Sequence, residues 1–204
     1  MQLPTYQEIE TLHHKYAPTA EVFDSVFTHC QIVHDIAVLL LSGRSLDVDA
    51  ELVRIGCLLH DIGVYPFFDS SGHKREELNY ITHGIRGEEI LRDEGFSETI
   101  WRFASHHTGV GLTKQDVVSQ GLPLPEENFE AQTTEELLVM YADKFHSKTQ
   151  PPYFNPYAWY KDYAAKFGSD KVTKFENMAE QFGIPDVAPL VEKYGHQIRP
   201  DATL

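Results

Sequence analysis

Gly56-Cys57-Leu58-Leu59-His60-Asp61-Ile62-Gly63 is an apolar run that ends in an adjacent histidine and aspartate, with a glycine close behind. The residues from Leu52 to Leu59 read as one buried helix. Glycine supplies the backbone freedom that a helix C-terminus favours, so Gly63 places His60 and Asp61 on the last turn of a core helix. Burying such groups unpaired would cost on the order of several kcal/mol. Something must compensate, and the polar residues elsewhere in the chain point to a metal.

N-terminal to this stretch, Thr19 to Ser42 reads as a long helix. Val22, Val26, Val33, Ala37 and Leu40 form its apolar stripe at helical spacing. His29 lies in that stripe, where a lone histidine is more often a core residue with one backbone partner than a ligand. His34 borders the stripe and is the competing candidate. Gly43 stops this helix, and Asp47 caps the central one, with Glu51 nearby. Pro4 to Lys15 reads as a short amphipathic helix. His13 and His14 lie at its end and read as surface or dipole-compensating residues.

Beyond the central stretch, Val64 to Lys74 reads as a loop, marked by Pro66 and Ser70-Ser71-Gly72. Arg75 to Tyr80 reads as a short helical turn. Thr82 caps a helix that runs to Glu94 and is closed by Gly95. His83 opens it, Gly84 and Gly87 leave room for a close neighbour, and Arg86 lies one turn along on the same side. Ser97 caps the next helix. Ile100, Phe103 and Ala104 mark its inward face; His107 continues that face, and His106 points about 100° away. Thr113 to Phe129 reads as a short helix and a loop. In a helix from Thr134 to Lys148, Asp143 follows Val139 and Met140 by four and three residues and faces inward, where a lone carboxylate is rare. Pro151 and Pro152 end that helix. The aromatic segment from Tyr153 to Phe167 is expected to pack on the core, with helices over Asp170–Phe182 and Asp186–Ile198 after it. No stretch has strand periodicity, so the expected fold is all-α.

Composition limits the function. A chain of 204 residues is one domain of ordinary size or a core with an appendage. Hydrophobic content of 42% and charged content of 24% are globular values. The run Ile36–Leu41 is too short to span a membrane, and no basic segment precedes an apolar one at the N-terminus. A cytoplasmic protein without a membrane partner is expected, with Cys30 and Cys57 as buried free thiols. The net charge of −14 repels nucleic acid, but a small phosphate ester can bind where the site is locally positive.

The inward polar residues form a set: His29, His60, Asp61, His83, His107 and Asp143, from five expected helices. Four imidazoles and two carboxylates suit one or two divalent cations, among Mn, Fe, Co, Zn or Mg. They provide donors for two ions about 4 Å apart with one carboxylate bridging. Asp61 is the natural bridge, because its neighbour His60 already points to one ion. Two such ions against two carboxylates leave a local charge of about +2.

The order His29, His60-Asp61, Asp143 resembles the H…HD…D signature of the HD-domain metal-dependent phosphohydrolase superfamily, and Leu58–Gly63 resembles its HDIG form. Thr82-His83-Gly84-Ile85-Arg86-Gly87 and His106-His107-Thr108-Gly109 are similar to the two extra histidine motifs of the dinuclear branch, and Tyr141-Ala142-Asp143-Lys144 to its last metal motif. The resemblance covers about residues 19–148. It implies an HD-domain helical bundle with extra C-terminal helices: an N-terminal helix over 1–18, a metal-binding core over 19–148 and an extension over 149–204 packed on the core. It also implies a first metal on His29, His60, Asp61 and Asp143, and a second completed by His83 and one histidine of the 106–107 pair, His107 by its face. Many HDIG members carry a lysine after the motif's glycine; here it is Val64.

The activity implied is hydrolysis of a small phosphate ester, foremost a nucleotide, by attack of a metal-bound water. Asp61 or Asp143 would orient or deprotonate that water. His106 would protonate the leaving oxygen, and Arg86, Lys144 and Lys148 would grip the phosphate. Some members of the superfamily use such a six-ligand site as a di-iron oxygenase. A metal-stabilised regulatory module without turnover is the third alternative.

Overall fold

In the computed structural model, which describes residues 3–42 and 46–200, α1 (Tyr6–Tyr16) begins at a capping box. The Thr5 hydroxyl accepts the Glu8 N–H, and the Glu8 carboxylate accepts the Thr5 N–H. His13 is not a surface residue: it is fully buried. Its Nε2–H donates to Leu58 O and its Nδ1 accepts from the Tyr65 hydroxyl, each at 2.7 Å. Only His14 is exposed, stacked on Phe23.

α2 (Ala20–Ser42) runs through the centre and buries Val26, His29, Val33, Ile36 and Leu40. Its 23 residues are long and apolar enough to cross a membrane by length and composition, which the short run Ile36–Leu41 does not suggest; half of its most apolar window is buried inside the protein. Gly43, expected as its stop, lies outside the described residues. α3 (Ala50–Leu59) is capped by Asp49, not Asp47. The Asp49 carboxylate accepts the N–H groups of Glu51 and Leu52 at 3.0 and 3.1 Å, a reach that needs the residue immediately before the helix. The expected loop after Asp61 begins with a 3₁₀ segment, Ile62–Phe67, and a second 3₁₀ turn spans Tyr80–Thr82.

Gly63 matters for space rather than for backbone conformation. It is not among the glycines with positive φ, but a Cβ there would lie 2.1 Å from His83 O and 2.2 Å from Gly87 N. The 3₁₀ segment and α4 (His83–Asp93) thus touch backbone to backbone. α5 (Glu98–Ser105) packs against α4, with Gly84 and Gly87 facing Ala104. α6 (Lys114–Ser119) starts at a Thr113 capping box. α7 (Thr134–Asp143) stops five residues short of its expected end.

After α7 the chain forms strands as well as helices. β1 (His146–Ser147) pairs antiparallel with β2 (Tyr153–Phe154), and β2 pairs parallel with β3 (Gln197–Ile198). These replace the ends of two expected helices. Two residues per strand cannot display a period of two, so the sequence carried no strand signal. α8 (Tyr157–Ala165), α9 (Ser169–Phe182) and α10 (Ala188–Tyr194) complete the chain. Among the described residues, the fold is an all-α bundle with this one small sheet.

Two groups of buried side chains meet along α2. One joins α1, the first half of α2, the end of α3, α4 and α5 through Ile9, Phe27, Leu58, Leu91 and Ile100. The other joins the second half of α2 to α7 and the C-terminal helices through Val33, Val139, Tyr141, Phe175 and Phe182. Each large side chain so buried contributes roughly 1.5–3 kcal/mol. The aromatic segment packs as expected at Phe154 and Tyr160, while Tyr163 and Phe167 stay exposed. Cys30 and Cys57 are free and buried.

Candidate metal centre

His60 ends α3 with its Nδ1–H donating to Cys57 O at 2.8 Å. That bond places a hydrogen on Nδ1 and turns Nε2 toward the centre. Across from it, His29 of α2 brings its Nε2 to 3.3 Å. Asp61 Oδ2 lies 3.1 Å from His29 Nε2 and 3.4 Å from His60 Nε2. Asp143, at the end of α7, places Oδ1 at 3.0 and 3.5 Å from the same two nitrogens.

The other oxygen of Asp61 faces a second group. His83 Nε2 and His107 Nε2 lie 3.6 and 3.7 Å from Asp61 Oδ1. His83 Nδ1–H donates to Tyr80 O at 2.8 Å, and His107 Nδ1–H to Ala104 O at 2.7 Å. Both Nε2 atoms are therefore acceptors, yet they stand 2.9 Å apart. Two lone pairs in contact repel unless something positive lies between or beside them. Asp61 Oδ1 is itself buried with no hydrogen-bond partner, a state that costs about 1–3 kcal/mol if uncompensated.

These facts fit a cation. His29, His60, Asp61 and Asp143 form one set of converging donor atoms, and Asp61, His83 and His107 a second. Asp61 is common to both, one oxygen toward each. The mixture of imidazole and carboxylate suits divalent first-row metals.

Burial and charge set the protonation of the centre. Burial would raise the Asp61 carboxyl, but Lys148 and His60 hold it well below the usual range. Asp143 is likewise raised by burial and pulled well below by Lys144 and its histidine neighbours. Burial pushes His83 down, and His107 further down with His60 and His83 adding to it. His60 is the exception: burial opposes its charge, but Asp61 beside it raises it well above the ordinary value. A proton on His60 thus competes with a cation for the same carboxylates.

The remaining expected site residues are dispersed. Lys144 Nζ bonds Asp143 Oδ2 at 2.6 Å and His107 O at 3.0 Å, which braces two candidate ligands. Lys148 Nζ is hydrogen-bonded to Asp61 Oδ2 and lies over the Tyr80 ring. His106 points away from the cluster. Its Nε2 accepts from Arg102 Nη1 at 3.0 Å, and its Nδ1–H donates to Ser105 Oγ at 2.7 Å. Burial and Arg102 push it down to about 4. A ring with both nitrogens occupied, beside a guanidinium clamped by Glu136, holds no proton to give to a leaving group. Arg86 also lies elsewhere. Its guanidinium stacks over Phe67 and lines a cleft formed with Tyr16, Pro66, Asp69 and Arg75. His34 belongs to neither donor group.

Sequence reasoning missed His146, whose Nδ1 stands 2.8 Å from His29 Nδ1. The helical pattern through Lys148 conceals it, and no local signal marks a two-residue strand. Next to the centre is a cleft of about 370 Å³ lined by Ser25, Thr28, His146, Lys148 and His196, with Glu21 and Asp24 at its wall.

The HD domain family model matches residues 26–148. An uncharacterised protein of Methanocaldococcus jannaschii is 37% identical over 123 residues, 59% of this chain and 65% of that protein. A tRNA (cytidine(56)-2'-O)-methyltransferase of Thermoplasma volcanium is 27% identical over 194 residues, 94% of this chain and 46% of that protein. The chain thus spans less than two thirds of these relatives' length. Among solved structures, the HD domain of the phosphodiesterase PgpH from L. monocytogenes superposes with a TM-score of 0.51 at 17% identity, over 91% of this chain and 98% of that one. Its complex with cyclic-di-AMP gives 0.52 at 17%, over 94% and 99%.

Proposed function

Because the chain belongs to the HD-domain family, we propose that it is a metal-dependent phosphohydrolase with two cations, acting on a small phosphate ester, foremost a nucleotide. The observation that carries this reading is Asp61, with Oδ2 toward His29 and His60 and Oδ1 toward His83 and His107. When bound, divalent cations there supply an activated water and neutralise charge that develops on a phosphoryl group.

The chain's own residues have separable roles. His29, His60, Asp61 and Asp143 hold the first cation; Asp61, His83 and His107 hold the second. Lys148 is hydrogen-bonded to Asp61 and lines the adjoining cleft. We assign it to the non-bridging oxygens of the substrate, in place of Arg86. Lys144 holds Asp143 and the His107 carbonyl in register. Asp61 and Asp143, both kept ionised, are the groups able to orient a water. Ser25 and Thr28, from the first half of α2, offer hydroxyls to the body of the substrate. A core over residues 19–148 carries all of this, the segment 149–204 closes one side of the cleft, and the setting is cytoplasmic.

The similarity to a phosphodiesterase domain crystallised with a cyclic dinucleotide supports a nucleotide over other esters. Methyl transfer to tRNA is not extended to this chain. The match covers under half of that enzyme, and a net charge of −14 opposes a polyanionic partner. The test is elemental analysis of the purified protein together with an anaerobic phosphate-release screen over nucleotides and sugar phosphates. Two first-row ions per chain and oxygen-independent release are expected. Oxygen uptake without release would assign the centre to oxidation instead.

A further inference from the structure

His29 reaches the centre through Nε2 and turns Nδ1 the other way, to 2.8 Å from His146 Nδ1. His146 in turn places Nε2 at 2.9 Å from His196 Nδ1. The three rings overlap obliquely, with centroids 5.1 Å and then 5.2 Å apart and planes within 26° and 20°. A row of imidazoles therefore leads from the centre to the cleft wall.

Hydrogen bonding between neutral imidazoles obeys a parity rule, because each ring carries one N–H and one lone pair. One proton lies between His29 and His146, and one between His146 and His196. Only two arrangements satisfy both bonds. In the first, His29 carries its hydrogen on Nε2 and donates toward Asp143 Oδ1 at 3.0 Å; His146 then donates from Nδ1 and His196 from Nδ1. In the second, every hydrogen is moved over. His29 Nδ1–H donates to His146 Nδ1, His146 Nε2–H donates to His196 Nδ1, and His29 Nε2 is a bare lone pair. A cation can bind His29 only in the second arrangement.

The row is built into the fold. His146 is 4% exposed. Its backbone pairs with Phe154 in the small sheet, and its ring meets the buried Phe154 ring edge-on at 5.1 Å. His196 immediately precedes β3, which the pairing with β2 holds in register. The C-terminal strand thus has a hydrogen-bonded connection to the centre through two side chains.

We propose that His146 and His196 are positioning residues for the cation at His29: they hold its proton on Nδ1 and aim Nε2 at Asp61 and Asp143. The C-terminal segment then sets metal affinity as well as covering the core. This rests on the reading of His29 as a cation ligand. Outer partners of this kind typically change affinity by about 10–100-fold.

The test uses Co(II), whose visible absorption reports ligand geometry, titrated into metal-free full-length protein. In His146→Leu, affinity at one of the two sites should fall about 10–100-fold with a changed band pattern. His146→Asn puts a carbonyl oxygen where the His146 Nδ1 lies, so it should restore most of the loss. His196→Ala, a partly exposed and structurally mild change, should weaken binding several-fold in the wild type and not at all in the His146→Asn background. Unchanged Co(II) affinity in His146→Leu overturns the proposal. So does a loss that His146→Asn fails to restore while His196→Ala binds normally, because packing alone would produce that pattern. If the wild type itself binds no Co(II), the metal reading fails; if it binds and the variants do not differ, only this inference fails.

Discussion

Asp61 is the residue on which the candidate centre turns, since among the described residues it alone belongs to both donor groups. Asp61→Ala should abolish bound metal and phosphate release together; full metal content by elemental analysis would contradict the two-site reading. His83→Ala should remove about half the metal and leave the site at His29 filled. His13 makes a different kind of prediction. Burial holds its folded-state value down to about 4, against an ordinary 6.5. Between those values the unfolded chain takes a proton that the folded one refuses. The stabilisation is therefore complete above pH 6.5, is lost as pH falls toward 4 and is constant below. The loss is about 3 kcal/mol. Denaturant midpoints at pH 7 and pH 4.5 should differ less in His13→Gln than in the wild type; equal pH slopes would refute this. At this scale the sequence was informative where helical period fixed a face, as for His29, His107 and Asp143. It was not for His13, whose partners Leu58 and Tyr65 are distant in sequence, nor for His106, whose ring is taken up by Arg102 and Ser105, nor for Arg86, which lies over Phe67 rather than beside His83.

Among elements, the 3₁₀ segment after Asp61 and α4 leave no room for a side chain between them at Gly63. Gly63→Ala would drive a methyl into the His83 carbonyl and the Gly87 nitrogen, both backbone, so neither can rotate away. We expect a destabilisation of about 3 kcal/mol and displaced His83 geometry, read as a lower thermal midpoint and weaker binding of the second cation. A variant with wild-type stability would mean that the two segments separate easily. The helices were legible because apolar residues recur at 3.6-residue intervals and glycines end several of them. The end of α7 was not, because Phe145 and Lys148 keep a helical pattern while His146 and Ser147 pair with β2. A pairing between two short strands overrode the helical preference that the residues carry one by one.

For the molecule as a whole, the candidate centre lies where the two buried groups of side chains meet, and its candidate ligands come from α2, the end of α3, α4, the residues just after α5, and α7. A bound cation joins these elements and should stabilise the folded state by mass action, about 4 kcal/mol at a thousandfold excess over Kd. Chelation should lower the thermal midpoint of the wild type by several degrees and leave Asp61→Ala unmoved. Equal shifts would place the chelator's effect elsewhere. The all-α architecture was readable from periodicity and the family from its ordered motifs. That β3 returns to lie beside β2 was not, because residues 154 and 198 meet only once the helices between them have packed.

The spacing of the candidate ligands also bears on the order in which the proposed centre can assemble. His29 and His146 are 117 positions apart, so a nascent chain that has emerged from the ribosome only as far as α5 can offer a cation scattered, half-formed handholds. On the proposed reading, the donor group at His29 is complete only after translation has passed Asp143 of α7, and the imidazole row behind it only after His196 has followed.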